Sequence, residues 1–194
     1  MISSQANTSA RKKTYLHPLV SNASCILKLI IDIFYKGDSA KVVGGFFTGW
    51  NDKELAKQAV SIMTGIEEYI PGEFYKRELP CILSFLEDHP QEPVELIIID
   101  GYVFLDNQMK KGLGAWLYES LAGKIPIIGV AKSRFHGNEQ YVQEITRGKS
   151  HTPLYISSAG IELEEASQRV KNMSGDYRLP QLIKQVDTET KKPW

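Results

Sequence analysis

Histidine, cysteine and net charge are all scarce in this chain, and each shortage removes a class of function. With four histidines and two cysteines there is no spacing that would hold a zinc ion and no Cys-His or Ser-His-Asp set for nucleophilic catalysis. His89, His136 and His151 fall in polar stretches that read as loops. Cys25 and Cys81 lie among apolar residues and read as small buried hydrophobes of a reducing compartment, not as a disulfide. A formal net charge of zero argues against a dedicated basic coat for nucleic acid, while leaving room for a local patch. No apolar run is long enough to span a bilayer, and the opening "MISSQANTSARKK" lacks the apolar core of a secretory signal, so no membrane partner and a cytoplasmic location are expected. "VGG" and "GLG" lack the spacing of a phosphate loop or dinucleotide fingerprint.

What is present is an ordinary globular composition: 194 residues, 42% hydrophobic and 24% charged. Residues 1–22 carry no hydrophobic period and read as a tail, residues 23–187 as a single domain, expected to be monomeric, and residues 188–194 as a frayed end. "ILKLIIDIFY", the turn "KGD" and "AKVVGGFFTGW" predict a long antiparallel hairpin. In "NDKELAKQAVSIM", Asn51 or Asp52 could cap a covering helix, or a short strand-helix transition, with Leu55, Ala59, Ile62 and Met63 on one face. "RELPCILSFLEDHP" predicts a helix with Leu79, Ile82, Leu83 and Leu86 as its apolar stripe, Glu78 at its start and Pro80 in its first turn. "ELIIID" and "IPIIGVA" read as buried parallel strands joined by a helix carrying Leu113, Trp116, Leu117 and Leu121. The chain is therefore α/β, and the carboxyl ends of these two strands, with Asp100 and Lys132, should share one edge of the sheet. "LEEASQRVKNMSG" predicts a further helix with Leu163, Ala166, Val170 and Met173 on one face, closed by Gly175.

Three carboxylates stand where an unpaired charge is expensive. Asp32 interrupts "LIIDIF", Glu78 adjoins the helix start beside Arg77, and Asp100 ends a buried strand. A divalent cation would offset their desolvation, and a few acids with water and phosphate oxygens suit magnesium and phosphodiester hydrolysis. Each acid also has a plain explanation: Asp100 as a turn residue, Glu78 as a cap or a partner of Arg77, Lys132 as a surface lysine. Lys132 beside Asp100 could equally steady a scissile phosphate. Arg134, Arg147 and Lys149 form either a small phosphate-contacting patch or a solvated loop.

"YIPGEFYKRELP", "ELIIIDG", "IPIIGVAKSR", "PLYIS" and "YRLP" occur in the order and approximate spacing of the endonuclease V family, and the resemblance runs from about Asp32 to Pro180. It implies a ribonuclease H-like fold, a mixed central sheet opened by an antiparallel meander and flanked by helices. It further implies magnesium- or manganese-dependent nicking of DNA or RNA at the second phosphodiester 3′ to a deaminated base such as inosine, in nucleic-acid repair. Asp32, Glu78 and Asp100 match the family's metal-site acids and Lys132 its catalytic lysine. Tyr69, Ile70 and Pro71, followed by Gly72, match the wedge that holds strands apart, although "YIPG" could be a surface turn. Gly101, Tyr102, Val103, Ser133 and Arg134 fall where the family meets nucleic acid. Tyr102 and Val103 replace a histidine and a glycine, Asp106 replaces a later histidine, and Ala159 stands in place of one after the "YIS" strand; Asp106 or Glu162 could substitute for the missing group. The alternatives are a related nuclease with another substrate preference, a catalytically weak nucleic-acid-binding homologue, or a structural or interaction protein.

Overall fold

The computed structural model describes residues 26–66, 70, 72–90 and 93–194. The tail assigned to residues 1–22 therefore lies outside the described residues, as do Cys25, Tyr69 and Pro71.

The hairpin forms as expected. β1 (Leu27–Lys36) and β2 (Ser39–Phe47) pair antiparallel around a turn whose Gly37 has φ 63°. β3 (Lys57–Met63) then pairs with β2, so the segment expected to be a covering helix or a strand-helix transition is a strand. Asp52 does act as a cap, but its Oδ2 accepts hydrogen bonds from the Thr48 and Gly49 amides and closes a turn. With no helix nucleated there, Val60 and Ile62 follow the strand preference of β-branched side chains at the sheet edge. α1 (Phe74–Asp88) starts earlier than expected and buries Glu78, Cys81, Ile82 and Phe85. Its inward stripe is thus rotated from the expected one, Pro80 lies in the helix interior, and Glu78 is neither a cap nor in the first turn. Pro80 is solvent-exposed, so water can satisfy the Lys76 carbonyl that it leaves without a helical donor.

β4 (Val94–Asp100), α2 (Leu113–Ser120) and β5 (Ile127–Ala131) form the expected parallel unit. β6 (Gln143–Ile145) and β7 (Leu154–Ala159) follow, with β7 antiparallel to both β5 and β6. The sheet is seven-stranded and mixed, in the order β3-β2-β1-β4-β5-β7-β6. α3 (Leu163–Lys171) and α4 (Gln181–Thr190) end the chain's regular structure. The expected inward positions of α3 are buried at Ala166, Val170 and Met173, although the helix closes at Asn172 and Gly175 lies beyond it.

Two apolar layers hold helices to the sheet. Leu29, Ile31, Ile97 and Ile99 pack with α1 and α2, while Ile30, Ile98, Ile128 and Val130 pack with α3 and α4. The period of two in the strands sorts alternate residues to opposite faces, which explains their near-continuous hydrophobicity. This is the ribonuclease H-like arrangement. The expected frayed end is different: α4 runs through residues 188–190, and Thr190 is only 1% exposed because the helix packs on the sheet.

Candidate active site

β1 and β4 run parallel in a register that pairs Ile31 with Ile99, bringing Asp32 and Asp100 alongside one another. Both side chains belong by alternation to the face covered by α4. Lys132 follows β5 at the same edge and places Nζ 2.7 Å from Asp100 Oδ2. Asp100 thus lies beside an ammonium group, and Lys132 is tied into an acidic cluster.

A further carboxylate is supplied by α4. Asp187 Oδ1 lies 3.2 Å from Lys132 Nζ and 2.8 Å from Lys191 Nζ, while its Oδ2 lies 3.0 Å from Lys184 Nζ. The Thr190 hydroxyl, with one proton to donate, lies 3.2 Å from Asp32 Oδ2 and 2.9 Å from the Asp187 carbonyl, joining the helix to the first strand. Sequence reasoning missed Asp187, the last residue of the expected domain, because no helix was expected over residues 181–190. Its signal was an aspartate within the Leu182–Val186–Thr190 face, flanked by lysines three residues before and four after it.

Glu78 approaches from α1, on the other side of the sheet, where it is 9% exposed. The Tyr35 ring lies beneath the Arg77 guanidinium at 3.7 Å, and the buried Tyr35 hydroxyl, near Glu78 and Cys81, lacks a hydrogen bond of ordinary geometry. Cys81 is free and buried, matching its expected role as a small hydrophobe.

Desolvation raises the Asp32 carboxyl to about 6, reinforced by the charges of Asp100 and Asp187 and opposed by Lys132. Desolvation likewise raises Glu78 to about 8, with Asp32 and Asp100 adding to the shift. At Asp187 burial also disfavours ionisation, but hydrogen bonds from Lys191, Lys184 and Lys132 outweigh it and hold the carboxyl well below its ordinary range. Burial works against the Lys132 ammonium, yet Asp100 and Asp187 raise its pKa overall.

These oxygen donors suit a hard divalent cation, and the upward shifts at Asp32 and Glu78 describe carboxylates short of positive charge. Among the described residues, however, no three His, Cys, Asp or Glu side chains form a set that could hold a metal ion as positioned. The split between the two sheet faces separates Glu78 from the others, and Lys132 stands between Asp100 and Asp187.

The remaining expected site residues divide clearly. Gly72, Gly101, Tyr102, Ser133 and Arg134 line a cavity of about 350 Å³ that also includes Asp100 and Lys132. Gly101 has φ 139°, and a side chain at Gly129 would strike its carbonyl, so both glycines permit the close approach of the β4 and β5 ends. Tyr102 donates its hydroxyl to the Ser133 carbonyl at 2.7 Å and accepts from the Phe135 amide at 3.2 Å, fixing that wall. Desolvation pushes its phenol up to about 12. Val103 is a correction: it is 0% exposed and packs in the core, so its side chain is unavailable to nucleic acid. Ile70 is 48% exposed, while its expected wedge partners Tyr69 and Pro71 lie outside the described residues.

Neither suggested substitute for the absent histidine serves the site. Asp106 Oδ1 accepts from the Gln108 and Lys110 amides and shapes its own loop. Ala159 pairs with Ile127 at the start of β5, and Glu162 follows that end of β7, away from the Asp100 edge. The expected basic patch also separates: Arg147 is buried against backbone carbonyls, including Tyr177 O at 2.7 Å, and Arg134 faces Glu144 at 3.7 Å. Arg178, within "YRLP", bonds the carbonyls of Lys132 and Pro153, fastening the α4 approach to the end of β5.

The Endonuclease V family model matches residues 11–188. Endonuclease V from Dehalococcoides mccartyi is 34% identical over an alignment of 135 positions, with 60% of this chain and 59% of that protein covered. The protein of the same name from Alkalilimnicola ehrlichii is 29% identical over 155 residues, covering 70% of this chain and 66% of its own length. The chain thus spans roughly three fifths to just under two thirds of these curated relatives. The catalytic domain of human endonuclease V, in a substituted form, has a similar fold with TM-score 0.66 and 20% identity over 87% of this chain and 82% of that one. Ciona intestinalis endonuclease V, solved with a 24mer DNA containing an inosine followed by a ribo-adenosine, gives TM-score 0.66 and 17% identity over 84% of each chain.

Proposed function

The chain belongs to the endonuclease V family, and from that premise we propose that it is a divalent-metal-dependent endonuclease that nicks DNA or RNA at the second phosphodiester 3′ to a deaminated base such as inosine. The observation that carries this reading is an acid-and-lysine edge, Asp32, Asp100, Asp187 and Lys132, opening directly into a cavity of about 350 Å³. Cytoplasmic nucleic-acid repair by a monomer is the setting that we infer for it.

Asp32 and Asp100 would hold magnesium or manganese, with Asp187 and Glu78 completing the acidic surroundings from opposite sides of the sheet. When bound, such an ion supplies Lewis-acid activation of a phosphoryl oxygen and acidifies water. Lys132 is positioned to compensate developing negative charge on the scissile phosphate, and Thr190 orients the Asp32 carboxylate through its hydroxyl. Glu78, which burial keeps protonated up to about pH 8 without metal, would ionise beside a bound cation and then be suited to accept a proton from water. Asp32 and Asp100 serve binding rather than that proton transfer.

The cavity supports recognition of a turned-out base. Tyr102, Phe135, Leu105 and Leu113 provide apolar lining, while Ser133 and Arg134 lie at its polar side. Because both hydrogen bonds of the Tyr102 hydroxyl are made within the protein, its contribution is the ring face and the fixed position of residues 133–135. Val103 preserves the wall from behind as a core residue.

The test is incubation of labelled single-stranded and duplex DNA and RNA, with and without inosine, in magnesium, manganese or EDTA. Expected is metal-dependent nicking one nucleotide beyond the inosine, leaving 3′-hydroxyl and 5′-phosphate ends, with loss of activity in Asp32→Ala and Asp100→Ala. Cleavage indifferent to inosine would replace the lesion-specific reading with that of a different nuclease. Binding without cleavage in every metal would favour a non-catalytic nucleic-acid-binding homologue.

A further inference from the structure

The site opens in a second direction. A groove of about 1060 Å³ shares Lys132 with the base-sized cavity and is otherwise lined by different residues. Lys184, Gln185 and Thr188 contribute the flank of α4, Lys192 lies just beyond its end, and Tyr177 and Arg178 contribute the preceding loop. We propose that this groove carries the single nucleic-acid strand leaving the scissile phosphate on the side opposite the turned-out base. The inference rests on the proposed nuclease function, which puts the cut on the 3′ side of the base and makes the groove the track of the 3′ segment.

Charge, aromatic exposure and continuity independently favour this occupant. The groove has four cationic side chains, Lys132, Arg178, Lys184 and Lys192, against the acids Asp176 and Glu189. Glu189 is already compensated by Lys192 at 2.5 Å. At the inner end, three ammonium groups meet the Asp187 carboxylate, and the Lys184 group among them also lines the groove. Lys132 is also held by Asp100 at 2.7 Å, so the surplus lies with Lys184 and Lys191, two ammonium groups that share the single Asp187 carboxylate and can meet a backbone phosphate.

Tyr177 supplies the second feature. It is 80% exposed, yet its carbonyl accepts a 2.7 Å hydrogen bond from Arg147, a buried side chain that also bonds the Gly175 carbonyl. A ring presented to solvent from a pinned backbone provides a stacking platform for a base without reading its identity. Gln58, Gln181 and Gln185 add neutral hydrogen-bonding groups along the same groove. The occupant therefore fits a strand held by phosphate contacts and stacking, with little sequence preference.

The experiment measures binding by fluorescence anisotropy, with calcium replacing magnesium, to single-stranded DNA carrying one inosine and ending two or eight nucleotides 3′ of it. The longer 3′ segment should tighten binding of the full chain by about tenfold and steepen its salt dependence. Tyr177→Ala and Gln185→Glu should each reduce the gain to about twofold or less, whereas Gln185→Lys should increase it. An equal gain in these variants, or the same gain from a 5′ extension, would overturn the groove assignment. Nicking in magnesium by the same preparation is read in parallel. Nicking with no response to 3′ length rejects the groove alone, while a length response without nicking in magnesium supports the groove and rejects the proposed catalysis.

Discussion

Glu78 occupies the inward stripe of α1 together with Cys81, Ile82 and Phe85, a position that an acid holds at a cost to folding. Its folded-state carboxyl is raised by burial from an ordinary 4.5 to about 8. Below the unfolded value both states are protonated; between the two values the folded state retains a proton that the unfolded state has released. Stability without metal consequently falls as pH rises through this interval and levels off above about 8. Glu78→Gln, which imitates the protonated group, should match the wild type near pH 4.5 and become more stable by about 1–4 kcal/mol near pH 8.5. Urea denaturation at the two pH values checks this, and a gap independent of pH would refute it. The same variant should lose nicking by about 100-fold or more if Glu78 accepts the proton proposed above. Asp187→Asn tests a different contribution: it retains the side chain's size but removes the anion shared by Lys132, Lys184 and Lys191. Its nicking rate should drop by about 100-fold with the circular-dichroism spectrum unchanged, while wild-type activity would remove Asp187 from the site.

At the scale of elements, α4 connects stability with catalysis. Leu182 and Val186 bury on the sheet while Asp187 and Thr190, farther along, reach Lys132 and Asp32. Leu182→Ala should cost about 2–5 kcal/mol by opening a cavity under the helix, measurable by denaturant midpoint. A cost below about 0.5 kcal/mol would mean that α4 is not held by this contact. The helix also explains why the site was only partly legible in sequence. Asp32, Asp100 and Lys132 interrupted or ended apolar strand patterns, where alternation and parallel pairing gave them a shared edge. Asp187 followed "QLIKQV", a short amphipathic segment whose polar and apolar positions became informative only when packed on β1. The same dependence on tertiary pairing reversed the expectation for β3: residues 55, 59 and 62 satisfy a helical face in isolation, while the edge of β2 selects a strand. Val103 was unreadable for a related reason, since only contact with Gly114 on α2 reveals that its side chain turns into the core.

For the molecule as a whole, a cation bound as proposed among acids from both sheet faces would make its binding and folding parts of one equilibrium. Asp32 is raised to about 6 and Glu78 to about 8 chiefly by desolvation, so folding takes up protons over successive ranges above their ordinary values of 3.8 and 4.5. A divalent cation favours the ionised forms instead, and its apparent affinity must increase as those protons leave. The melting temperature without metal is therefore expected to decrease from pH 5 to pH 8.5, while the increment produced by 10 mM magnesium or manganese, about 2–6 °C at the upper pH, grows across the same range. Asp32→Asn should abolish most of that increment even where it raises the stability of the metal-free protein. Calcium provides the comparison needed for the groove experiment, because it should stabilise the fold and support strand binding without requiring nicking. If magnesium and manganese produce no pH-dependent increment in the wild type, these carboxylates do not form the cation site on which the proposed chemistry depends. An increment retained by Asp32→Asn would instead locate the ion elsewhere in the molecule.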